Sequence, residues 1–232
     1  MPLDIKICGL KTEDALEAAL AGGASHVGFI FFAKSPRNID PAEAGRLRAM
    51  ARGPSTAGQK ARAQGEGVKA VAVTVDADDA TLDVIVDAMS PDVLQLHGNE
   101  TPERVAYVKS RYGLPVMKVF SVRDAGDLEP IAHYRGVADR FLLDAKPAAG
   151  AELPGGNGVP FEWRLLAGLD AGVDYMLSGG LNAANIAEAL RLTNPPGIDI
   201  SSGVESAPGV KDAALIESFF RAVRAAQANR AA

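Results

Sequence analysis

A single cysteine, Cys8, among 232 residues leaves no partner for an internal disulfide. A disulfide-stapled secreted scaffold is therefore excluded, and a chain of this length buries a full core without staples. Histidine is almost as scarce, with only His26, His97 and His133 present. A four-cysteine zinc site is out, and a histidine-based metal site would require all three rings to converge. No apolar run approaches the length of a bilayer; the longest, residues 27–33, stops at Lys34. At the N-terminus, Asp4 and Lys6 interrupt the apolar residues, so the charged-then-apolar order of a secretory signal is missing. These absences predict a cytoplasmic protein with no membrane partner. Basic residues are outnumbered, 24 Lys and Arg against 29 Asp and Glu, for a net charge of −5. That balance argues against nucleic acid as a partner, because a broad basic surface is needed to displace counterions from phosphates. A small anionic substrate stays open.

Hydrophobic residues make up 47% and charged residues 23%, the balance of an ordinary globular domain. Short β-branched runs alternate with helical patterns from end to end. The periodicity predicts strands at 5–8, 26–32, 68–75, 93–96, 115–120, 140–143, 175–177 and 197–200. Helices are expected near 13–22, 41–52, 80–89, 102–112, 125–133, 161–167, 183–192 and 212–226. Thr12 suits an N-cap, with Glu13 and Asp14 in the first turn, and the pair Gly22-Gly23 suits the end of that helix. Pro41 fits the first turn of the second. Leu215, Phe219, Phe220 and Val223 form the apolar stripe of the last. Residues 53–67 carry no apolar stripe and read as a flexible insertion, and 145–160 as a long Gly/Pro-rich loop. Eight β-then-α units in a length close to ~250 residues predict an α/β fold, a single (β/α)8 TIM barrel over 1–232. A doubly wound open sheet is the alternative, weakened because no G-x-G-x-x-G follows the first strand.

Such barrels place their chemistry at the C-terminal ends of the strands. The residues there are Cys8-Gly9, Lys34 to Arg37, His97-Gly98, Asp144 to Lys146, Ser178-Gly179-Gly180 and Ser201-Ser202-Gly203. The last two are small-residue loops after adjacent strands, where barrels often bind phosphate through backbone N–H groups. Taken singly, each glycine pair would more simply make a tight turn. Cys8 alone reads as a small buried hydrophobe. Asp144 alone reads as a cap or a structural hydrogen bond, although a carboxylate there needs a partner or a function. Together, a thiol and a carboxylate across one barrel mouth supply a base and an acid without a metal. Arg37 has the geometry to fork onto a substrate carboxylate, its plainer reading being a solvated charge. His97 is read as structural or as a direct substrate contact.

Six stretches, each at a strand end and in order, resemble the phosphoribosylanthranilate isomerase family over essentially the whole chain. They are Lys6-Ile7-Cys8-Gly9-Leu10, Val27-Gly28-Phe29-Ile30-Phe31 with Lys34-Ser35-Pro36-Arg37, Leu94-Gln95-Leu96-His97-Gly98, Leu142-Leu143-Asp144, Leu177-Ser178-Gly179-Gly180-Leu181, and Asp199-Ile200-Ser201-Ser202-Gly203-Val204-Glu205. The resemblance implies an Amadori rearrangement of N-(5-phosphoribosyl)anthranilate, with Asp144 as general acid and Cys8 as general base. It implies that Arg37 binds the anthranilate carboxylate, that the loops with Gly179, Gly180, Ser201, Ser202 and Gly203 bind the phosphate, and that no cofactor takes part; His97 and Asp199 are read as further substrate-binding residues, and no metal is expected. A thiolate base further requires that the site lower the pKa of Cys8 from about 8.5. The expected partner is a small phosphorylated substrate, and the expected assembly a monomer or homodimer. Two departures stand out: the stretch 53–67 is longer than the family's usual connection, and Val159-Pro160 replaces a more polar pair. Two rivals stay open, the histidine-pathway aldose–ketose isomerase and a non-catalytic phosphate-ligand binding barrel.

Overall fold

The computed structural model describes residues 2–52, 67–146, 162–170 and 172–231. Among them, β1 (Asp4–Cys8), β2 (His26–Phe31), β3 (Lys69–Thr74), β4 (Val93–Leu96), β5 (Val116–Val122), β6 (Arg140–Ala145), β7 (Tyr175–Leu177) and β8 (Gly197–Ile200) close into a barrel in chain order. Every pair is parallel, and β8 returns to β1 with Asp199 opposite Lys6. The expected (β/α)8 architecture is the observed one.

Side-chain alternation along the strands separates two packed layers. Val71, Val73, Val93, Met117, Val119, Leu142 and Met176 fill the barrel interior together with Cys8. Ile7, Val27, Phe29 and Leu94 face outward and join the core formed with the helices. Those helices are α1 (Glu13–Gly22), α2 (Pro41–Ala51), α3 (Asp79–Met89), α4 (Pro102–Tyr112), α5 (Ile131–Tyr134), α6 (Ile186–Thr193) and α7 (Ala213–Ala231). Their starts follow the local chemistry. Thr12 caps α1 by accepting from Ala15 N, Asp40 caps α2 ahead of Pro41, and Asp78 and Thr101 do the same for α3 and α4. Gly23 closes α1 as expected.

Several elements differ from expectation. The helix expected at 125–133 is instead a 3-10 turn, Ala125–Leu128, followed by the one-turn α5, because Pro130 has no N–H to continue the ladder. Asp124 and Asp127 cap that turn reciprocally. In place of a helix at 161–167, Trp163–Gly168 is a 3-10 turn. α6 begins three residues late because the Asn182 and Asn185 side chains take backbone N–H groups at its entrance. On α7, Ile216 is fully buried with Phe219, Phe220 and Val223, while Leu215 is 40% exposed. The stripe therefore runs through Ile216, whose spacing of three, four and seven residues to the others keeps it on one face. An antiparallel hairpin of β9 (Glu205–Ala207) and β10 (Val210–Lys211) follows β8 and was not expected. Residues 53–66 of the expected insertion, and the loop from 147 through Val159-Pro160, lie outside the described residues.

Candidate active site

The C-terminal mouth of the barrel opens into a cavity of about 700 Å³, its open entrance included. Cys8, Arg37, His97, Asp144, Gly179, Gly180, Asp199, Ser201 and Ser202 all line it. Of the residues given a catalytic or binding role from the sequence, only Gly203 is off the wall, sitting in the 3-10 turn Ser202–Val204. Its contribution is close approach: a Cβ at Gly203 would lie 1.9 Å from the Leu181 carbonyl oxygen. The loops after β7 and β8 can touch only because that side chain is missing.

Asp144 faces inward on β6, which runs two residues further than the apolar run suggests and pairs Asp144 with Ser121. It is 5% exposed, and Ala145 N donates to its Oδ1 at 2.9 Å. Burial, then the charge of Asp199, push its carboxyl up to about 7. It therefore holds a proton in mild acid and titrates near neutrality, the condition a general acid needs. His97 Nε2 lies 3.6 Å from Asp144 Oδ2, too long for a hydrogen bond. Burial, then the charges of Lys118 and Lys6, hold this imidazole down to about 3, so the contact is not an ion pair near neutrality. The loop that carries His97 is fixed from below. Lys118 Nζ donates to Glu100 Oε2 at 2.9 Å and to the Gly98 carbonyl at 2.8 Å, and Glu100 accepts from the N–H groups of Asp76 and Gly98.

Cys8 ends β1 inside the barrel. Burial pushes its thiol up, and the nearby Lys6 ammonium only partly opposes this. The condition named from the sequence, a lowered thiol pKa, is therefore not met: desolvation of the thiolate outweighs the cation. Lys6 is fully buried and forms an ion pair with Asp199, Nζ to Oδ1 2.9 Å, while Ser178 Oγ donates to Asp199 Oδ2 at 3.3 Å. Asp199 lines the cavity as expected, but its carboxylate is already engaged on both oxygens.

Arg37 is not a solvated charge; it is 5% exposed and lines the cavity. Its Nε and Nη2 donate to Glu205 at 2.8 and 2.9 Å, so this edge of the fork holds a protein carboxylate. Lys211 Nζ completes the cluster, 2.5 Å from Glu205 Oε1 and 3.0 Å from the Ser201 carbonyl. Ser201 Oγ donates to the Cys8 carbonyl at 3.1 Å, tying the loop after β8 to β1.

Sequence reasoning assigned no role to Lys6, Gln95, Glu205 or Lys211. Two of these carried a signal: Lys6 and Gln95 are polar residues inside short apolar strands, at the alternation that faces inward. Gln95 lines the cavity, and its Oε1 has no hydrogen-bond partner among the described residues. Glu205 and Lys211 meet only through the β9–β10 hairpin, whose turn signal is the pair Pro208-Gly209. Among the described residues, no three His, Cys, Asp or Glu side chains converge as metal ligands.

A closed parallel barrel whose mouth gathers a carboxyl that titrates near neutrality, a thiol and two small-residue loops has the parts of a proton-transfer enzyme. The family model of N-(5'-phosphoribosyl)anthranilate (PRA) isomerase matches residues 5–222. The N-(5'-phosphoribosyl)anthranilate isomerase of Mesorhizobium japonicum is 71% identical over 232 residues, covering all of both chains. Two solved structures are each 28% identical with a TM-score of 0.78, covering 97% of this chain and all of their own. One shows monomers generated from a dimeric phosphoribosylanthranilate isomerase of Thermotoga maritima. The other is a phosphoribosylanthranilate isomerase in complex with reduced 1-(o-carboxyphenylamino)-1-deoxyribulose 5-phosphate. The chain belongs to the phosphoribosylanthranilate isomerase family, whose reaction is a step of tryptophan biosynthesis.

Proposed function

We propose that this chain converts N-(5-phosphoribosyl)anthranilate to 1-(2-carboxyphenylamino)-1-deoxyribulose 5-phosphate with Asp144 as general acid and Cys8 as general base. One observation carries the assignment. A carboxyl held up to about 7 and the sole cysteine line the same cavity, at the ends of strands on different sides of the barrel. Asp144 protonates the ribose ring oxygen, and the ring opens to an iminium. Cys8, as the thiolate, removes the proton from C2, and the C2–H electron pair forms the enolamine. Tautomerisation gives the ketose, so the atoms of substrate and product are the same. The scheme uses no metal or cofactor.

The loops with Gly179, Gly180, Ser202 and Gly203 hold the phosphate through backbone N–H groups, as small residues allow. Arg37, clamped by Glu205, presents its charge to the anthranilate carboxylate, and Asp199 accepts from a ribose hydroxyl while keeping Lys6. His97, held neutral, hydrogen-bonds the substrate beside Asp144. The whole chain acts as one barrel domain. No helix among the described residues is long and apolar enough to cross a membrane. We place the enzyme in the cytoplasm as a monomer or homodimer, the latter favoured by the dimeric Thermotoga maritima relative.

The test is turnover of phosphoribosylanthranilate by the purified protein, and rescue of a strain lacking this isomerase. Consumption of substrate and growth without tryptophan are expected; binding without turnover would overturn the reading. Gly203→Ala separates phosphate binding from chemistry. Because the added Cβ forces the two loops apart, KM is expected to rise about tenfold or more with a smaller change in kcat. Steady-state kinetics with an unchanged KM would remove these loops from the binding role.

A further inference from the structure

The barrel interior keeps a charge that the reaction scheme does not use. Lys6 is fully buried, and removing an ammonium from water is costly unless its partners repay it. One partner is Asp199, 2.9 Å away on the neighbouring strand. The other is the sulfur of Cys8. Lys6 and Cys8 lie two residues apart on β1, so both point inward, and both close over Gly28 of β2, which pairs with Cys8. A Cβ built on Gly28 would lie 3.0 Å from Cys8 Sγ and 3.1 Å from Lys6 Cε. The bare backbone at Gly28 is the space in which the lysine stem and the sulfur sit side by side.

We propose that Lys6, fixed by Asp199, is the positioning residue that makes Cys8 usable as a base, its ammonium acting as the counterion of the thiolate. This rests on the assignment of Cys8 as base. Lys6 keeps its proton throughout: the proton leaving C2 goes to sulfur, and the ammonium only balances the charge present on sulfur before that transfer. Three ionic groups face Cys8, namely Lys6 on its own strand, Asp199 on β8 and Lys211 on the β10 edge. Of these charges that of Lys6 acts most strongly and favours the thiolate, that of Asp199 opposes it, and that of Lys211 adds a smaller favourable part. Asp199 has two effects of opposite sign. Its own charge disfavours the thiolate, yet it keeps Lys6 protonated and in place, the Lys6 pKa being raised although burial works to lower it.

The arrangement explains how a buried thiol acts as a base at all. Without a cation, desolvation would leave almost no thiolate near neutrality. With Lys6 beside it, the thiolate that does form sits next to an opposite charge in a dry site, and it remains a stronger base than a fully acidified cysteine would be.

The test uses the fact that Cys8 is the only cysteine, so alkylation by iodoacetamide, read by mass, reports one sulfur. Lys6→Met is expected to slow alkylation about tenfold or more at pH 8, to lower kcat/KM about tenfold below pH 7, where the thiolate is the scarce form, and to change KM less than about threefold. Lys6→Arg, which keeps the charge, is expected to recover most of the alkylation rate. If Lys6→Met fails to fold because Asp199 is left unpaired, the double variant Lys6→Met/Asp199→Asn removes both charges and is expected to alkylate slowly as well. A folded variant without the lysine charge whose alkylation profile and kcat/KM match those of the unaltered protein overturns the proposal. Alkylation does not depend on what Cys8 does in turnover, so a failure of the base assignment shows separately, as wild-type-like turnover in Cys8→Ala.

Discussion

Asp144→Asn is expected to lower turnover of phosphoribosylanthranilate by on the order of a hundredfold or more, and Cys8→Ala to do the same, because each removes one of two proton-transfer groups. The Asp144 variant carries a second, opposite signature. In the unaltered protein the carboxyl is held up to about 7, chiefly by burial and then by the charge of Asp199. In the unfolded chain it titrates near 3.9. Between those values the folded protein binds the extra proton, so its stability falls as pH rises from about 4 to about 7 and stays low above that. Asparagine has no such cost and keeps an oxygen for Ala145 N. Asp144→Asn is therefore expected to be more stable than the unaltered protein at pH 8, by about 2–4 kcal/mol, with the gap closing towards pH 4. The same titration sets activity: because burial pushes the Cys8 thiol above the Asp144 carboxyl, the form with the acid protonated and the thiol ionised grows with pH up to about 7 and then holds level, so kcat/KM of the unaltered enzyme is expected to rise towards about pH 7 and flatten above it. Urea titrations at pH 4 and 8 and a pH–rate profile check the whole set. A variant that is inactive but no more stable at pH 8 would remove the buried, proton-holding carboxyl from the account, and wild-type-like turnover would remove the acid itself.

The barrel was legible because its signal is repetitive. Eight strands alternate with caps and helices, and β4, β7, β8 and α4 begin and end where periodicity and turn residues put them. The elements that departed are those where a single group overrules the pattern, such as Pro130 breaking a helix or two asparagines delaying α6. The site divided in the same way. Residues at strand ends were found, since the fold dictates where their side chains go. Lys6 and Gln95 passed unremarked, although inward-facing polar residues in apolar strands are the trace such groups leave. The partnership of Arg37 with Glu205 spans 168 positions, and nothing local in the chain encodes it. The charge balance was equally blind to it. A net charge of −5 does not reveal that a buried cation, Arg37, lines the cavity, and on the proposed reading that local field, rather than the overall charge, captures the substrate.

That long-range partnership makes Glu205→Gln the substitution expected to cost most in stability. The Glu205 carboxylate serves two buried cations at once, Arg37 through a two-bond fork and Lys211 through its ammonium. The side chains of Arg37, Glu205 and Lys211 are all nearly inaccessible to solvent. Burial works to raise the Glu205 pKa, but the hydrogen bonds and charges of Arg37 and Lys211 outweigh it and hold the group down to about 2. Removing the charge leaves both cations in a dry site without their shared counterion, a situation that typically costs about 3–5 kcal/mol. The sign with pH follows from the depressed value: the stabilisation is fully present above about 4.5 and is lost as pH falls through about 2. Urea unfolding at pH 7 should show the full deficit, and the two proteins should draw together only in strong acid. Activity should fall as well, because Lys211 anchors Ser201, and Ser201 ties the phosphate-side loop to the strand that carries Cys8. A Glu205→Gln protein within about 1 kcal/mol of the unaltered one at pH 7 would mean that Arg37 and Lys211 find other counterions, and that the cluster does not hold the mouth of the barrel in shape.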